Sequence, residues 1–154
     1  MTVRKADLTH IPHLARLLHQ VNDVHALGRP DIFVLGQRKY SDDQLAAILA
    51  MNDRPVFVAE EGGDVLGYAF CVVEQTSTPN LQPEKTLYID DICVDEGCRG
   101  RGVGRELYDY VNQFAAEIGC RRITLNVWCL NDGAMEFYKK MGMEPLKITM
   151  EKVL

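Results

Sequence analysis

The sequence predicts an α/β fold of the mixed α+β kind, a mixed β-sheet covered by helices, built as a single domain over residues 1–154. Three observations carry that expectation. Runs with a period of two concentrate in mid-chain between Pro55 and Val94, whereas runs with helical period fill the N-terminal third and resume after Gly102. A strand–turn–helix–strand succession spans Thr86 to Trp128, and the right-handed crossover rule makes its two strands parallel neighbours if they share a sheet. The length and an apolar fraction of 47% fit one compact domain able to bury a real core.

"TVRKA" reads as a first short strand, and Asp7 can cap a helix over about residues 8–22 in which Ile11, Leu14, Leu18 and Val21 recur at helical spacing. The following "DVHALGRPDIFVLGQRKYS" carries Gly28, Pro30 and Gly36 beside Phe33, Val34 and Leu35, an irregular segment too apolar for a plain linker. "SDDQ", Ser41–Gln44, matches a capping box and opens a second short helix. "PVFVAEE" and "VLGYAFCVVEQ" flank "GGD" as a hairpin, and Thr86–Val94 is a third strand of the mid-chain group. Val103, Leu107, Tyr110, Val111, Phe114 and Ile118 mark a long amphipathic helix closed near Gly119. "RRITLNVWCL" alternates as a strand, "DGAMEFYKKM" is a short helix ending at Gly142, and "LKITMEKV" reads as a last strand.

Composition excludes several classes of function. No run of about 18 apolar residues occurs, and "MTVRKADLTH" lacks the apolar stretch of a secretory signal, so a soluble, cytoplasmic protein without membrane partners is expected. A formal net charge of −5 argues against nucleic acid as a partner, since neutralising phosphates takes clustered Lys and Arg. Five cysteines without CxxC spacing, three of them (Cys71, Cys93, Cys129) in strand-like runs, read as reduced and mostly buried. Cys93 with Cys98, or His10 with His13, could begin a metal site, but no further ligands of fitting spacing follow, and no metal is expected.

The informative stretch is "CRGRGVGREL", Cys98–Leu107, with three glycines and three arginines at the mouth of the long helix. The first turn of a helix leaves unpaired amides and the positive end of the macrodipole, a ready anion site if side chains let phosphate approach. A Walker A loop would need Lys followed by Ser or Thr after its last glycine, but Arg105 and Glu106 stand there; a dinucleotide GxGxxG begun at Gly102 would need glycine where Leu107 is.

"RGRGVG", Arg99–Gly104, resembles the Q/R-x-x-G-x-G/A motif of the GNAT family of N-acetyltransferases, and "NDGAMEFYKKMG" is similar to that family's N-x-x-A-x-x-F-Y-x-x-x-G segment. With the strands "YIDDICV" and "ITLNVW" the resemblance covers most of residues 55–145. It implies a central mixed sheet splayed open between its fourth and fifth strands, flanked by helices. It also implies acetyl-coenzyme A as cosubstrate, held by Arg99, Gly100, Arg101, Gly102, Val103, Gly104 and Arg105 at the pyrophosphate, by the backbone of Ile92, Cys93 and Val94 along the pantetheine, and by Asn131. Asn131 can equally be the N-cap of its own helix.

Transfer of an acetyl group needs a neutral amine and a proton for the departing thiolate, while a lysine-like amine of pKa about 10.4 is almost wholly protonated at neutral pH. Tyr138 matches the family's tyrosine and is the expected acid. Asp90 matches an acidic residue proposed as base in the diamine-acetylating branch, a water relay being the other route. Since neighbours on a regular strand face opposite ways, only one of Asp90 and Asp91 is expected to face the acceptor. Cys93, in an apolar run without a histidine partner, is a poor nucleophile.

The acceptor is a small-molecule or protein amine, a polyamine, an aminoglycoside or a protein amino group; Asp23, Asp31, Glu74, Asp90 and Asp91 would favour a cation. His25, Arg29 and Tyr40 belong to the segment that would line its pocket, or are ordinary loop residues. The leading reading is an acetyl-CoA-dependent N-acetyltransferase acting through a ternary complex. The alternative is a non-catalytic acyl-CoA sensor, which would use the phosphate loop without acid or base. A homodimer is compatible with either.

Overall fold

The computed structural model describes residues 1–154. Strands β1 (Thr2–Lys5), β2 (Val56–Glu61), β3 (Asp64–Gln75), β4 (Lys85–Val94) and β5 (Arg122–Leu125) form one sheet in that spatial order. Every pairing is antiparallel except β4 with β5, the parallel pair joined by the crossover helix. The helices are α1 (Ile11–Gly28), α2 (Asp42–Leu49), α3 (Val103–Glu117) and α4 (Asp132–Lys140).

Local chemistry explains most boundaries. A 3-10 turn, Leu8–His10, precedes α1 and is capped by Asp7, whose carboxylate accepts from Thr9 N while the His10 ring closes the reciprocal bond. Ser41 and Gln44 form the capping box of α2. The β2–β3 hairpin turns on Gly62 and Gly63 at φ 61° and 90°, a left-handed pair that side chains disfavour. α1 is longer than its periodicity suggested: it carries on through "DVHALG" to Gly28, so His25 is a helical residue and the irregular segment begins at Arg29.

The central strands are buried on both faces, so their runs are continuously apolar instead of alternating. On one face Leu14, Leu17 and Leu18 of α1 and Leu45 and Ile48 of α2 pack on Val56, Val58, Tyr68, Phe70 and Cys93. On the other, Val103, Leu107, Tyr108, Val111 and Ala115 of α3 pack on Phe57, Ala59, Ala69, Cys71, Leu87 and Ile89, joined by Tyr138 of α4. Gly67 lets α3 approach β3 this closely: a Cβ there would lie 2.6 Å from the Cys93 carbonyl oxygen and 3.1 Å from Leu107.

Two expectations are corrected. β5 ends at Leu125 instead of running through "NVWCL", because the chain turns away from β4 there. No strand forms over "LKITMEKV": Glu144–Leu154 have no regular secondary structure and are exposed, their alternation finding no neighbouring strand within the chain. All five cysteines are free; Cys71 and Cys93 are buried, whereas Cys129 is exposed because it lies past the end of β5. No helix is long and apolar enough to cross a membrane.

Candidate active site

β4 and β5 pair only through Thr86–Ile89 and Arg122–Leu125. Past that register Asp90–Val94 keep β3 on one side and face an opening on the other. The chain beyond Leu125 swings toward the end of α1, where Trp128 packs edge-on against Phe33 with centroids 5.2 Å apart and Phe33 lies 4.9 Å from the His25 ring. This is the splay that the resemblance implied. Ile92, Cys93 and Val94 line its β4 side, with free main-chain groups of the kind an extended ligand pairs with. Burial pushes the Cys93 thiol up to about 12, with the Asp91 charge adding to it, which removes Cys93 as a nucleophile near neutral pH.

At the far end of β4 the glycine-rich turn leads into α3. Gly100 and Gly102 sit at φ 78° and 81°, and a Cβ on either would point into open space. Gly102 is the N-cap of α3 and brings no capping side chain, in contrast to Ser41 at α2 and Asn131 at α4. The first-turn amides of Val103, Gly104 and Arg105 are thereby left to an outside acceptor. An open left-handed turn in front of an uncapped helix fits a diphosphate, as the donor set requires. The arginines differ in their commitments. Arg101 is hydrogen-bonded to Glu61 and Arg105 lies 3.6 Å from Asp109, whereas Arg99 makes no ion pair.

The acidic pair is arranged differently from a regular strand. Phe70 pairs with Asp91 and Cys71 with Ile89, so Asp90 is the extra residue of a β-bulge. The bulge resets the alternation, and both carboxylates reach the α1–α2 side, correcting the expectation that only one would. Asp90 Oδ2 accepts from Lys39 Nζ at 2.7 Å and from the Tyr40 hydroxyl at 3.1 Å, and Arg54 donates to that hydroxyl at 3.0 Å. Burial works against the Lys39 ammonium, but its contacts with Asp90 and Tyr40 outweigh it and hold its pKa above the usual lysine range. Asp91 is partly buried and accepts from the Tyr68 hydroxyl at 2.5 Å. Desolvation raises its pKa above the ordinary carboxylate range, with the Tyr68 bond and the charges of His25 and Lys39 pulling the other way.

Tyr138 stands across the splay on α4, 9% exposed, beside Phe137 and Tyr108. Its hydroxyl makes no hydrogen bond within the chain, and since no fully buried side-chain N or O lacks a partner, that hydroxyl opens to solvent. Burial raises the phenol's pKa and the Asp91 charge raises it further, so it keeps its proton well above neutral pH. Asn131 caps α4, its Oδ1 accepting from Ala134 N at 3.0 Å.

The match of a family model settles what these parts belong to: the acetyltransferase (GNAT) family model matches residues 21–143. The chain belongs to the GNAT family. Among curated relatives, an uncharacterised N-acetyltransferase of Methanocaldococcus jannaschii is 29% identical over 77% of this chain and 51% of its own length. The 5-NmdU N-acetyltransferase of Pseudomonas phage PaMx11 is 32% identical over 71% and 74%, and the thialysine N-epsilon-acetyltransferase of Bos taurus 27% over 72% and 60%. The chain thus spans about half the length of the first of these and about three-fifths of the bovine enzyme. The solved BH1408 protein from Bacillus halodurans superposes with a TM-score of 0.95 at 33% identity, over 100% of this chain and 99% of that one. An aminoglycoside N-acetyltransferase in complex with CoA shares the fold at a TM-score of 0.74 and 18% identity, over 99% and 98%. Acetyl-CoA is the cosubstrate of GNAT enzymes, and the open turn and half-free β4 of this member suit it.

Of the acidic residues read as a frame for the acceptor, Asp23 and Asp31 hold the loop itself: Asp23 accepts from Gly36 N and Asp31 pairs with Arg29. Sequence reasoning missed the Lys39–Asp90 pair, the Tyr68–Asp91 bond and the packing of Trp128 on His25 and Phe33, contacts between residues 23 to 103 positions apart. Only the density of apolar residues in the 29–41 segment hinted that it covers something.

Proposed function

We propose that this GNAT protein is an N-acetyltransferase that moves the acetyl group of acetyl-CoA onto a primary amine of a cationic acceptor by direct transfer in a ternary complex. One observation carries the choice of acceptor. At the mouth of the splay a carboxylate, Asp90, already holds a primary ammonium, that of Lys39, at 2.7 Å. The bovine relative, a thialysine N-epsilon-acetyltransferase, supports the same class.

In the reaction the acceptor nitrogen forms a bond to the acetyl carbon as the carbon–sulfur bond breaks; the amine gives up a proton and the thiolate gains one. Asp90 receives the ammonium in exchange for Lys39 and takes its proton, directly or through water. Asp91 stands behind it, held in place by the Tyr68 hydroxyl. Tyr138, protonated and free of internal partners, donates to the sulfur. Arg99 and the open amides of Val103–Arg105 bind the pyrophosphate.

The experiment is release of free thiol from acetyl-CoA across a panel of polyamines, lysine analogues, aminoglycosides and a lysine peptide. Release that depends on one acceptor class supports the proposal. Calorimetric binding of acetyl-CoA with no acceptor-dependent release returns the sensor reading, and no binding by folded protein removes both.

A further inference from the structure

Lys39 brings a primary amine of the chain itself to the carboxylate assigned to the acceptor. It is the one lysine in an ion pair, its Nζ donating to Asp90 Oδ2 at 2.7 Å and lying 5.3 Å from the centre of the Tyr40 ring. The loop that carries it is tied down along its length. Asn22 of α1 donates to the Val34 carbonyl at 2.8 Å, Gly36 N donates to Asp23 Oδ1 at 2.9 Å, and Arg38 pairs with Asp42 of α2 at 2.7 Å. The amine is therefore delivered to the mouth of the splay by the fold, while its side chain stays half-exposed.

The other reacting groups gather at the same place. The glycine-rich turn lies beyond the Val94 end of β4, so a thioester arm laid from that turn along Val94 and Ile92 points its acetyl end toward Asp90 and Asp91. Tyr138 is close enough to Asp91 for that charge to act on its phenol, and Asp91 in turn feels the charge of Lys39. Acid, carboxylates and amine surround one stretch of β4.

We propose that Lys39 is a self-acetylation site, its ε-amino nitrogen taking the acetyl group of acetyl-CoA bound to the same chain when no other acceptor is present. Self-acetylation rests on the transferase reading of the site. The nitrogen bonds to the acetyl carbon as the carbon–sulfur bond breaks, and two protons leave the ammonium. Asp90 takes the first, which frees the lone pair, and passes it to solvent. The second, shed once the new bond has formed, replaces the proton that Tyr138 gives to the thiolate. Free coenzyme A and an amide at Lys39 result. Tethering makes the step unimolecular in the complex with acetyl-CoA, which sets it apart from chemical acetylation of any exposed lysine.

The product changes the site that made it. An acetylated Lys39 carries no charge, so its pair with Asp90 is lost and the carboxylate is left to an added acceptor. The modified chain should bind cationic acceptors with a KM lowered severalfold.

The test is to incubate the full chain with acetyl-CoA and no acceptor and to follow each lysine by peptide mass spectrometry, with the exposed Lys5, Lys147 and Lys152 as internal references. Lys39 should gain one acetyl group at least about tenfold faster than the references, with a rate constant unchanged over roughly 1–50 μM protein. Asp90→Asn and Tyr138→Phe should each slow Lys39 by about a hundredfold and leave the references alone, with calorimetry showing that both variants still bind acetyl-CoA. Labelling of Lys39 at the reference rate, a rate constant that rises with protein concentration, or labelling that survives both substitutions would each overturn self-acetylation. Thiol release with an added amine beside an unlabelled Lys39 would overturn self-acetylation and keep the transferase. A labelled Lys39 with every added amine refused would sustain self-acetylation and remove the small-molecule acceptor.

Discussion

The Tyr68 hydroxyl donates to Asp91 Oδ2 at 2.5 Å, tying a fully buried ring of β3 to a carboxylate at the edge of the splay. The ring is in place because Tyr68 packs between α1 and the sheet, edge-on to Phe70. The carboxylate is in place because the bulge at Asp90 turns Asp91 toward Phe70. One packing residue thus holds a group whose ionised form its surroundings oppose.

That opposition sets a pH dependence of stability. Burial raises the folded-state pKa of Asp91, so between the ordinary carboxylate value and the raised one the folded chain binds more protons than the unfolded chain. Stability from this group is complete below the window and lost as pH rises through the folded pKa. Asp91→Asn should therefore melt higher than the wild type at neutral pH and lower in relative terms below pH ~4, while turnover falls. Scanning calorimetry at the two pH values reads the sign, and an Asn variant destabilised equally at both would contradict it.

Tyr138→Phe removes a hydroxyl without internal partners, so stability should change by no more than about 0.5 kcal/mol. Loss of a general acid costs roughly 10²–10⁴ in rate, and that loss should fall on kcat while acetyl-CoA affinity stays the same. The check is steady-state kinetics on the best acceptor of the panel, with calorimetry of the same variant. Unchanged kcat would move the protonation of the thiolate to water.

Lys39 competes for the carboxylate that the acceptor is proposed to use. Its side chain is 51% exposed, so Lys39→Met should cost at most about 1 kcal/mol of stability. It should lower KM for cationic acceptors severalfold, whereas Asp90→Asn should raise KM for the same compounds. If both substitutions leave KM alone, the acceptor ammonium binds elsewhere.

The parts of the fold that the sequence made legible are those set by neighbours in the chain. The capping box at Ser41, the hairpin at Gly62 and Gly63, and the start of α3 at Val103 each follow from a few consecutive residues. The glycine-rich turn was legible for the same reason, since open amides before an apolar-periodic run are a local property. The bulge at Asp90 was not, because it arises from register against β3 and leaves no mark in "YIDDICV". The C-terminal strand was misjudged for a related reason: "LKITMEKV" has the period of a strand, but a period does not say whether a neighbour exists. Lys39 and Asp90 meet only because the loop after α1 folds over the mouth of the splay.

Gly102 is where the reading of the turn meets its most direct test. Its φ of 81° costs an L-residue about 1–2 kcal/mol, and a Cβ there meets no atom within 4 Å, so Gly102→Ala should fold with that modest loss alone. The open space around the missing Cβ is also the approach to the uncapped amides of Val103, Gly104 and Arg105. A methyl group in that approach should weaken acetyl-CoA at least tenfold by calorimetry, with the loss carried by the pyrophosphate: 3′-dephospho-coenzyme A should lose as much, and pantetheine, which lacks the diphosphate, should lose nothing. Asn131→Ala, which removes a cap from a different helix, should destabilise by about 1 kcal/mol and leave the pyrophosphate increment of binding unchanged. Equal losses for acetyl-CoA and pantetheine in Gly102→Ala would show that the substitution distorts α3 as a whole, and that the diphosphate is held by another part of the chain.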